Sequence, residues 1–346
     1  MPPIVTVTVP FPDAGFNSFT IVRDMVVKCL ADRYRVTDDA GHGALHIHIG
    51  SPDDAPRSLL DHRLAPLVLF AFVETPTIPR RWVEILDRAD AVAVPSHFCR
   101  DVLECAGVTA PLHLVPLGLD LDTAAPLGPD VRDRTFTVMW QGGYQRGRHP
   151  DGSVTDGDRK CGHLVEQAFR KAALPDSRLV LKSIPLAHPG SDRRTEDVWR
   201  IERVLPRAEI AALDRQADLF VWPTRGEGFG LPPLEKLANG VPVMVPGWSG
   251  PLDYLYTFPD AQIDDFRLVD VEYNHVMTKM ADVDIDIVVE RLRWAHANLD
   301  TLRSRRAELA DTARTGWNFR RSMAGPLLRC VSAVIDAGPA AAGVGP

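Results

Sequence analysis

The chain has no Cys-x-x-Cys pair, although it carries five cysteines, at positions 29, 99, 105, 161 and 330. Scattered and odd in number, they argue against a disulfide framework and a zinc site, and read as free thiols in a reducing cytoplasm. No apolar run approaches the length of a membrane span. Positive charge is not in excess: 39 Lys and Arg against 46 Asp and Glu leave a net of −7, which argues against nucleic acid or an anionic membrane as a main partner. The start, MPPIVTVTVPFPDAG, lacks the basic residues of a signal peptide. There is no internal repeat and no Gly-x-Gly-x-x-Gly. The segments GHG at 41–43 and QGGYQRG at 141–147 fall short of it, so a nicotinamide cofactor has no support. A globular composition remains, 45% hydrophobic and 25% charged, over 346 residues, enough for two domains.

The first half alternates strand and helix. Strands are expected at 4–10, 44–50, 66–73, 91–96 and 112–118, with helices at 17–34, 79–90 and 97–107, the last stopped by Gly107. Such alternation implies a parallel sheet with right-handed crossovers. The composition then shifts to Pro, Gly and Asp over 119–134, which marks a boundary. The expected division is a first domain over 1–121, a linker over 122–134, and a second α/β series over 135–316. The small-residue tail 337–346 reads as disordered.

The most informative stretch is RGEGFGLPPLEKLANGVPVMV, residues 225–245. ADLFVWPT before it and VPVMV at its end read as buried strands. Pro232 and Pro233 suit the first positions of a helix between them, and Gly240 its left-handed cap. A glycine-rich loop would thus feed a helix at the carboxyl end of a strand. Ligands bind there in open α/β sheets, and the helix dipole attracts phosphate. Glu235, expected in the first turn, has the acceptor sites to hold both hydroxyls of a ribose. Glu227 lies on the loop, facing what lies beyond the phosphates. Both could simply complement the helix dipole, but that does not explain Glu227, Gly228 and Gly230 together.

EGFGLPPLE resembles the Glu-x7-Glu signature of the retaining glycosyltransferases of family four, which have the GT-B fold. The likeness continues through EKLANGVPVMVPGWSGPLDYL, and includes DAVAVPSHFCRDVLECAGVTAPLHLVPLGLD at 90–120 and DRKCGHLVEQAFRKA at 158–172. It implies two Rossmann-like parallel-sheet domains facing a cleft, with a last helix around 317–336 crossing back to the first. It assigns Lys160, with an arginine, to the donor diphosphate, where cations stabilise the leaving charge. Relatives carry that arginine in a Gly-Arg pair six residues before the lysine. Here Val154 stands there, so Arg159, Arg146 or Arg148 must substitute, and Arg159 is preferred. Glu227, Lys160, Arg159 and Glu74 are the expected catalytic group, Glu74 from the segment ETPTIPRRW. Gly15, Glu235, Gly228, Phe229, Gly230 and Leu231 are expected on the donor. Asp13, Phe16, Asn17 and His48 are candidate acceptor contacts. His46 and His48 share a strand face but read as ordinary strand positions rather than a metal pair. Asp120 and Asp122 follow Pro-Leu-Gly between the domains, so that Asp-x-Asp is not read as a metal site.

The implied reaction needs neither metal nor cofactor. The partners would be a nucleoside-diphosphate sugar and a soluble small-molecule acceptor, with no nucleic acid and no strong membrane binding; a homodimer is compatible with this. Alternatives are a polysaccharide or lipid-linked acceptor, or a non-catalytic relative that only binds nucleotide-sugar.

Overall fold

The computed structural model describes residues 2–10, 18–39, 43–61, 65–122, 133, 135–143, 159–184 and 192–337. Asp13, Gly15, Phe16 and Asn17 lie outside them, as do Arg146, Arg148 and Val154. The chain forms two compact units, Met1–Gly118 with Trp317–Pro346, and Leu119–Gly316.

The first unit holds a sheet of β1 (Ile4–Thr8), β2 (Arg35–Thr37), β3 (Leu45–Gly50), β4 (Leu67–Ala71), β5 (Ala91–Val94) and β6 (Leu112–Leu114). Its order is β2-β1-β3-β4-β5-β6, and every pairing is parallel. β3, β4 and β5 are buried throughout, as strands covered on both faces must be. Helix α1 (Ser18–Leu30) buries Val22, Met25, Val26, Cys29 and Leu30, a stripe at helical spacing. The short α2 (Arg57–Asp61) and α3 (Arg80–Leu86) follow. α4 (His97–Cys105) starts where the Ser96 hydroxyl accepts from the Cys99 amide, and the chain turns beyond it at Gly107, φ 82°. β1 and β6 stop short of the expected 10 and 118. Pro10 and Pro116 lie just beyond, and neither can donate to a ladder.

The second unit holds β7 (Phe136–Gly143), β8 (Ser177–Ile184), β9 (Arg193–Arg194), β10 (Val198–Glu202), β11 (Leu219–Val221), β12 (Val243–Pro246) and β13 (Gln262–Ile263). The order is β13-β12-β11-β7-β8-β10-β9, parallel except for β9 at the edge. Its helices are α5 (Gly162–Ala172), α6 (Arg207–Gln216), α7 (Leu231–Ala238), α8 (Leu252–Leu255), α9 (Ile285–Ala297), α10 (Leu299–Ser304) and α11 (Arg306–Gly316). α9 packs on α5 and α11 on α7. Trp140 and Trp222 are fully buried in its core. An antiparallel hairpin, β14 (Arg267–Tyr273) and β15 (Val276–Asp282), interrupts the α/β series that the sequence suggested.

The chain then supplies α12 (Phe319–Ser322) and α13 (Ala324–Ala337) to the first unit, where α13 packs on α1. Among the described residues no helix is long and apolar enough to cross a membrane.

Candidate active site

β11 ends at Val221, and Pro223 cannot continue its ladder. The chain passes over 222–230 and enters α7 at Leu231, with Gly230 at φ 86° as N-cap. That left-handed angle demands glycine, and a Cβ there would meet the Pro251 ring at 3.0 Å. Pro232 and Pro233 take the second and third helical positions, where no N–H is missed. Gly240, at φ 73°, ends the helix. Because α7 begins at Leu231, Glu235 is its fifth residue, one place past the first turn in which the sequence put it.

The turn after β12 clamps this loop. The Glu227 amide donates to Ser249 Oγ at 2.9 Å, and the Gly250 amide to the Glu227 carbonyl at 2.9 Å. The Tyr254 hydroxyl donates to the Gly230 carbonyl at 2.9 Å. Burial, reinforced by the Glu227 charge, pushes that phenol well above its usual range, so it remains a donor. Phe229 is 2% exposed and packs on the Tyr254 ring, so it offers a ligand only its backbone.

Glu227 is where the side chains converge. Its Oε1 accepts from Arg159 Nη1 at 2.7 Å, Lys160 Nζ at 2.5 Å and Thr224 Oγ1 at 2.8 Å. Arg159 also donates to the Gly226 carbonyl at 2.5 Å. The Arg159 and Glu227 side chains are 4% and 9% exposed, and Lys160 16%. The Lys160 ammonium stands 4.8 Å from the Trp222 ring centroid, a cation–π contact. Backbone bonds hold the two cations in place. The Trp140 indole donates to the Lys160 carbonyl at 2.9 Å, and the Arg225 amide to the Arg159 carbonyl at 2.8 Å. Cys161, at φ 54°, then turns the chain into α5. Two cations thus share one carboxylate, and a net positive charge stands beside the loop that enters α7. Such a charge in a nearly dry setting suits a phosphate group.

Glu235 behaves differently. It is half-buried, and among the described residues its carboxylate has no hydrogen-bond or ion-pair partner. Burial holds its carboxyl above the usual range, with Lys236 and Arg207 opposing. A carboxylate with unused acceptor sites can take hydroxyl donors. Lys236, by contrast, points inward and is fully buried. Its Nζ lies 2.9 Å from Asp214 Oδ1 and donates to Gln141 Oε1 at 2.8 Å. Asn239 completes the cluster by donating to Asp214 Oδ2 at 2.7 Å.

The structure therefore brings Glu227, Lys160 and Arg159 together beside the loop of Gly228, Phe229, Gly230 and Leu231. Sequence reading missed Thr224, Trp222, Tyr254, Lys236 and Asp214. Only Lys236 carried a signal, as a lysine between Leu234 and Leu237 of a short apolar helix. In the first unit Glu74 is half-buried, past the end of β4. His48 is 2% exposed, its Nδ1 2.9 Å from the Thr8 hydroxyl, which also lies 2.8 Å from His46 Nε2. Burial pushes both imidazoles down to about 4, so they stay neutral in the strand layer. His48 is thus an interior position rather than an open contact for an acceptor. Among the described residues no three His, Cys, Asp or Glu side chains form a metal-binding group.

Comparison with known proteins bears on this arrangement. A family model described as "Family 4 Glycosyltransferase in conflict systems" matches residues 85–323, more than half of the chain. The D-inositol 3-phosphate glycosyltransferase of Kineococcus radiotolerans is 30% identical over 171 residues, 44% of this chain and 38% of that protein. The match thus spans well under half the length of that relative. The sucrose-phosphate synthase of Thermosynechococcus elongatus superposes with a TM-score of 0.68 at 14% identity, over 97% of this chain and 100% of that one. Anabaena HepE in complex with UDP-glucose superposes with a TM-score of 0.66 at 12% identity, over 95% of this chain and 99% of that one. At such identities the likeness speaks for the fold, which is GT-B. With the family model spanning the Glu227 loop, Glu235 and the two cations, the chain belongs to the family 4 glycosyltransferases of conflict systems, within an enzyme family that is retaining and nucleotide-sugar dependent.

Proposed function

We propose that the chain transfers a sugar from a nucleoside-diphosphate sugar to a hydroxyl of a soluble acceptor, with retention at the anomeric carbon. The observation that carries this reading is the convergence of Arg159 and Lys160 on Glu227, beside a loop that enters α7 with Glu235 open to hydroxyl donors. The diphosphate is read by Arg159, Lys160 and the loop amides, and the ribose by Glu235. Glu227 then meets the sugar. The bond from the anomeric carbon to the diphosphate oxygen breaks as the acceptor oxygen bonds to that carbon on the same face. The acceptor proton passes to the departing phosphate oxygen, so no strong protein base is needed. Positioning and charge stabilisation supply the rate. Glu74 is assigned to the donor sugar or the acceptor, and Gly15 to the donor. The Kineococcus relative is named for an inositol phosphate acceptor, which supports a soluble cyclitol or sugar as the class. Since two side-chain cations serve the diphosphate, activity is expected to survive a chelator.

The test is calorimetric titration of uridine and guanosine diphosphates into the full chain and its Lys160→Ala variant. Binding to the wild type and a tenfold or greater loss in the variant support the reading. A folded wild type that binds no nucleoside diphosphate overturns it.

A further inference from the structure

Lys182 is a buried lysine that the site described above does not use. It stands two residues from the carboxyl end of β8 and is 3% exposed. Its Nζ donates to the carbonyl of Ser183 at 2.8 Å, and among the described residues no carboxylate lies within ion-pair distance of it. The contrast with Lys236 is direct, since that equally buried ammonium has both Asp214 and Gln141. The charges that bear on Lys182 do not compensate it. Lys236 and Arg203 repel it, and Asp192, the one attractive charge among the described residues, is already paired with Arg203 at 3.2 Å. Burial and those two cations bring its ammonium down to about 8. An ammonium has three donors and no acceptor, and among the described residues only one donor is engaged here. A fold that needed only volume at this point would be served better by methionine.

Its place explains what the remaining donors can meet. Lys182 pairs in register with Gln141 of β7 and Ile201 of β10, so it shares their sheet face. Gln141 reaches Lys236 on that face, and Lys236 adjoins Glu235 on α7. A nucleotide with its diphosphate at Lys160, beside β7, and its ribose at Glu235 directs its base along this edge of the sheet, toward β8.

We propose that Lys182 donates a hydrogen bond to the nucleobase of the donor and selects bases that present a carbonyl there. Uracil and guanine carry that carbonyl. Cytosine and adenine carry an amino group at the same position, and two donors face each other. This inference rests on the reading of Glu227 and Glu235 as the donor site.

The experiment titrates UDP, CDP, GDP and ADP into the full chain, as wild type, Lys182→Met, Lys182→Gln and Lys160→Ala. The wild type is expected to bind UDP at least tenfold better than CDP. Lys182→Met loses about tenfold on UDP and under twofold on CDP. Lys182→Gln, which offers both a donor and an acceptor, keeps UDP and gains CDP, and it serves as the reporter if the methionine variant fails to fold. Lys160→Ala weakens all four alike. Equal losses on UDP and CDP, or unchanged UDP binding, in a folded Lys182→Met overturn the inference, as does a folded Lys182→Gln that gains nothing on CDP; either outcome leaves the donor site standing. Absence of all four from the wild type removes both.

Discussion

A carboxylate that holds two cations competes with any phosphate those cations would grip. Glu227→Gln tests this. The substitution leaves Arg159 and Lys160 buried with one neutral acceptor, which should lower stability by about 3 kcal/mol. It should also strengthen binding of a bare nucleoside diphosphate by about 1–2 kcal/mol, because a charge-assisted competitor is gone. Transfer should fall all the same, since the carboxylate no longer meets the sugar. Thermal unfolding with and without UDP, beside a transfer assay, reads all three; weaker UDP binding in the variant would refute the competition. Glu235 gives a pH prediction. Its carboxyl is held above the ordinary range by burial, so its ionised form is lost at a higher pH than for a solvated glutamate. Ribose hydroxyls donate to the ionised form. Donor affinity should therefore fall as pH drops through this raised value, and Glu235→Gln should be weaker throughout and flat over the same window. A wild-type profile as flat as the variant's would remove Glu235 from the ribose. Arg159 was legible in the sequence because it adjoins Lys160. Lys236 and Asp214 were not, since 22 positions separate them and only the packing of α6 beside α7 makes a pair of them.

Helix α7 carries Glu235, and the Lys236–Asp214 pair ties it to α6. Asp214 is 1% exposed, so removing its cation strands a buried charge. Lys236→Met alone should cost about 3–5 kcal/mol, and Asp214→Asn added to it should recover most of that. Urea unfolding of the single and double variants checks this. A double variant no more stable than the single one would mean that the charge is met elsewhere. Elements bounded by glycine, proline and short apolar runs were readable: α7 and β12 sit within a residue or two of their expected ends, and β11 within three. The β14–β15 hairpin was not read, although RLVDVEY alternates. Its tip is Asn274 and His275, at φ 53° and 64°, and histidine is no signal for such a turn. Its burial is local, with Val271, Tyr273 and Met280 as their own cluster, so no long apolar run announced it.

At the scale of the molecule, the acceptor reading draws on charge, and the division into units changes the figures. Residues 1–120 alone carry 10 basic and 15 acidic side chains, a net of −5. The first unit ends at Gly118 and regains Trp317–Pro346, which brings Arg320, Arg321 and Arg329; it then holds 13 basic and 15 acidic residues, a net of −2. Most of the chain's −7 therefore lies in the second unit, and the first unit is near balance. Near balance still differs from the basic amphipathic face that an anionic lipid surface requires. In α1 the basic residues are the half-buried Arg23, paired with Asp24 at 2.9 Å, and the half-buried Lys28. Two half-buried cations, each worth at most about 1 kcal/mol near an anionic leaflet, do not hold a protein of this size on a membrane. Sedimentation with vesicles rich in anionic lipid should leave the full chain in the supernatant at physiological salt. Transfer assays should register turnover with soluble sugars or cyclitols and none with a lipid-linked sugar. Salt-sensitive pelleting together with turnover on the lipid-linked acceptor alone would reverse the assignment. The basic cluster at Arg320 and Arg321 would then be the first surface to neutralise.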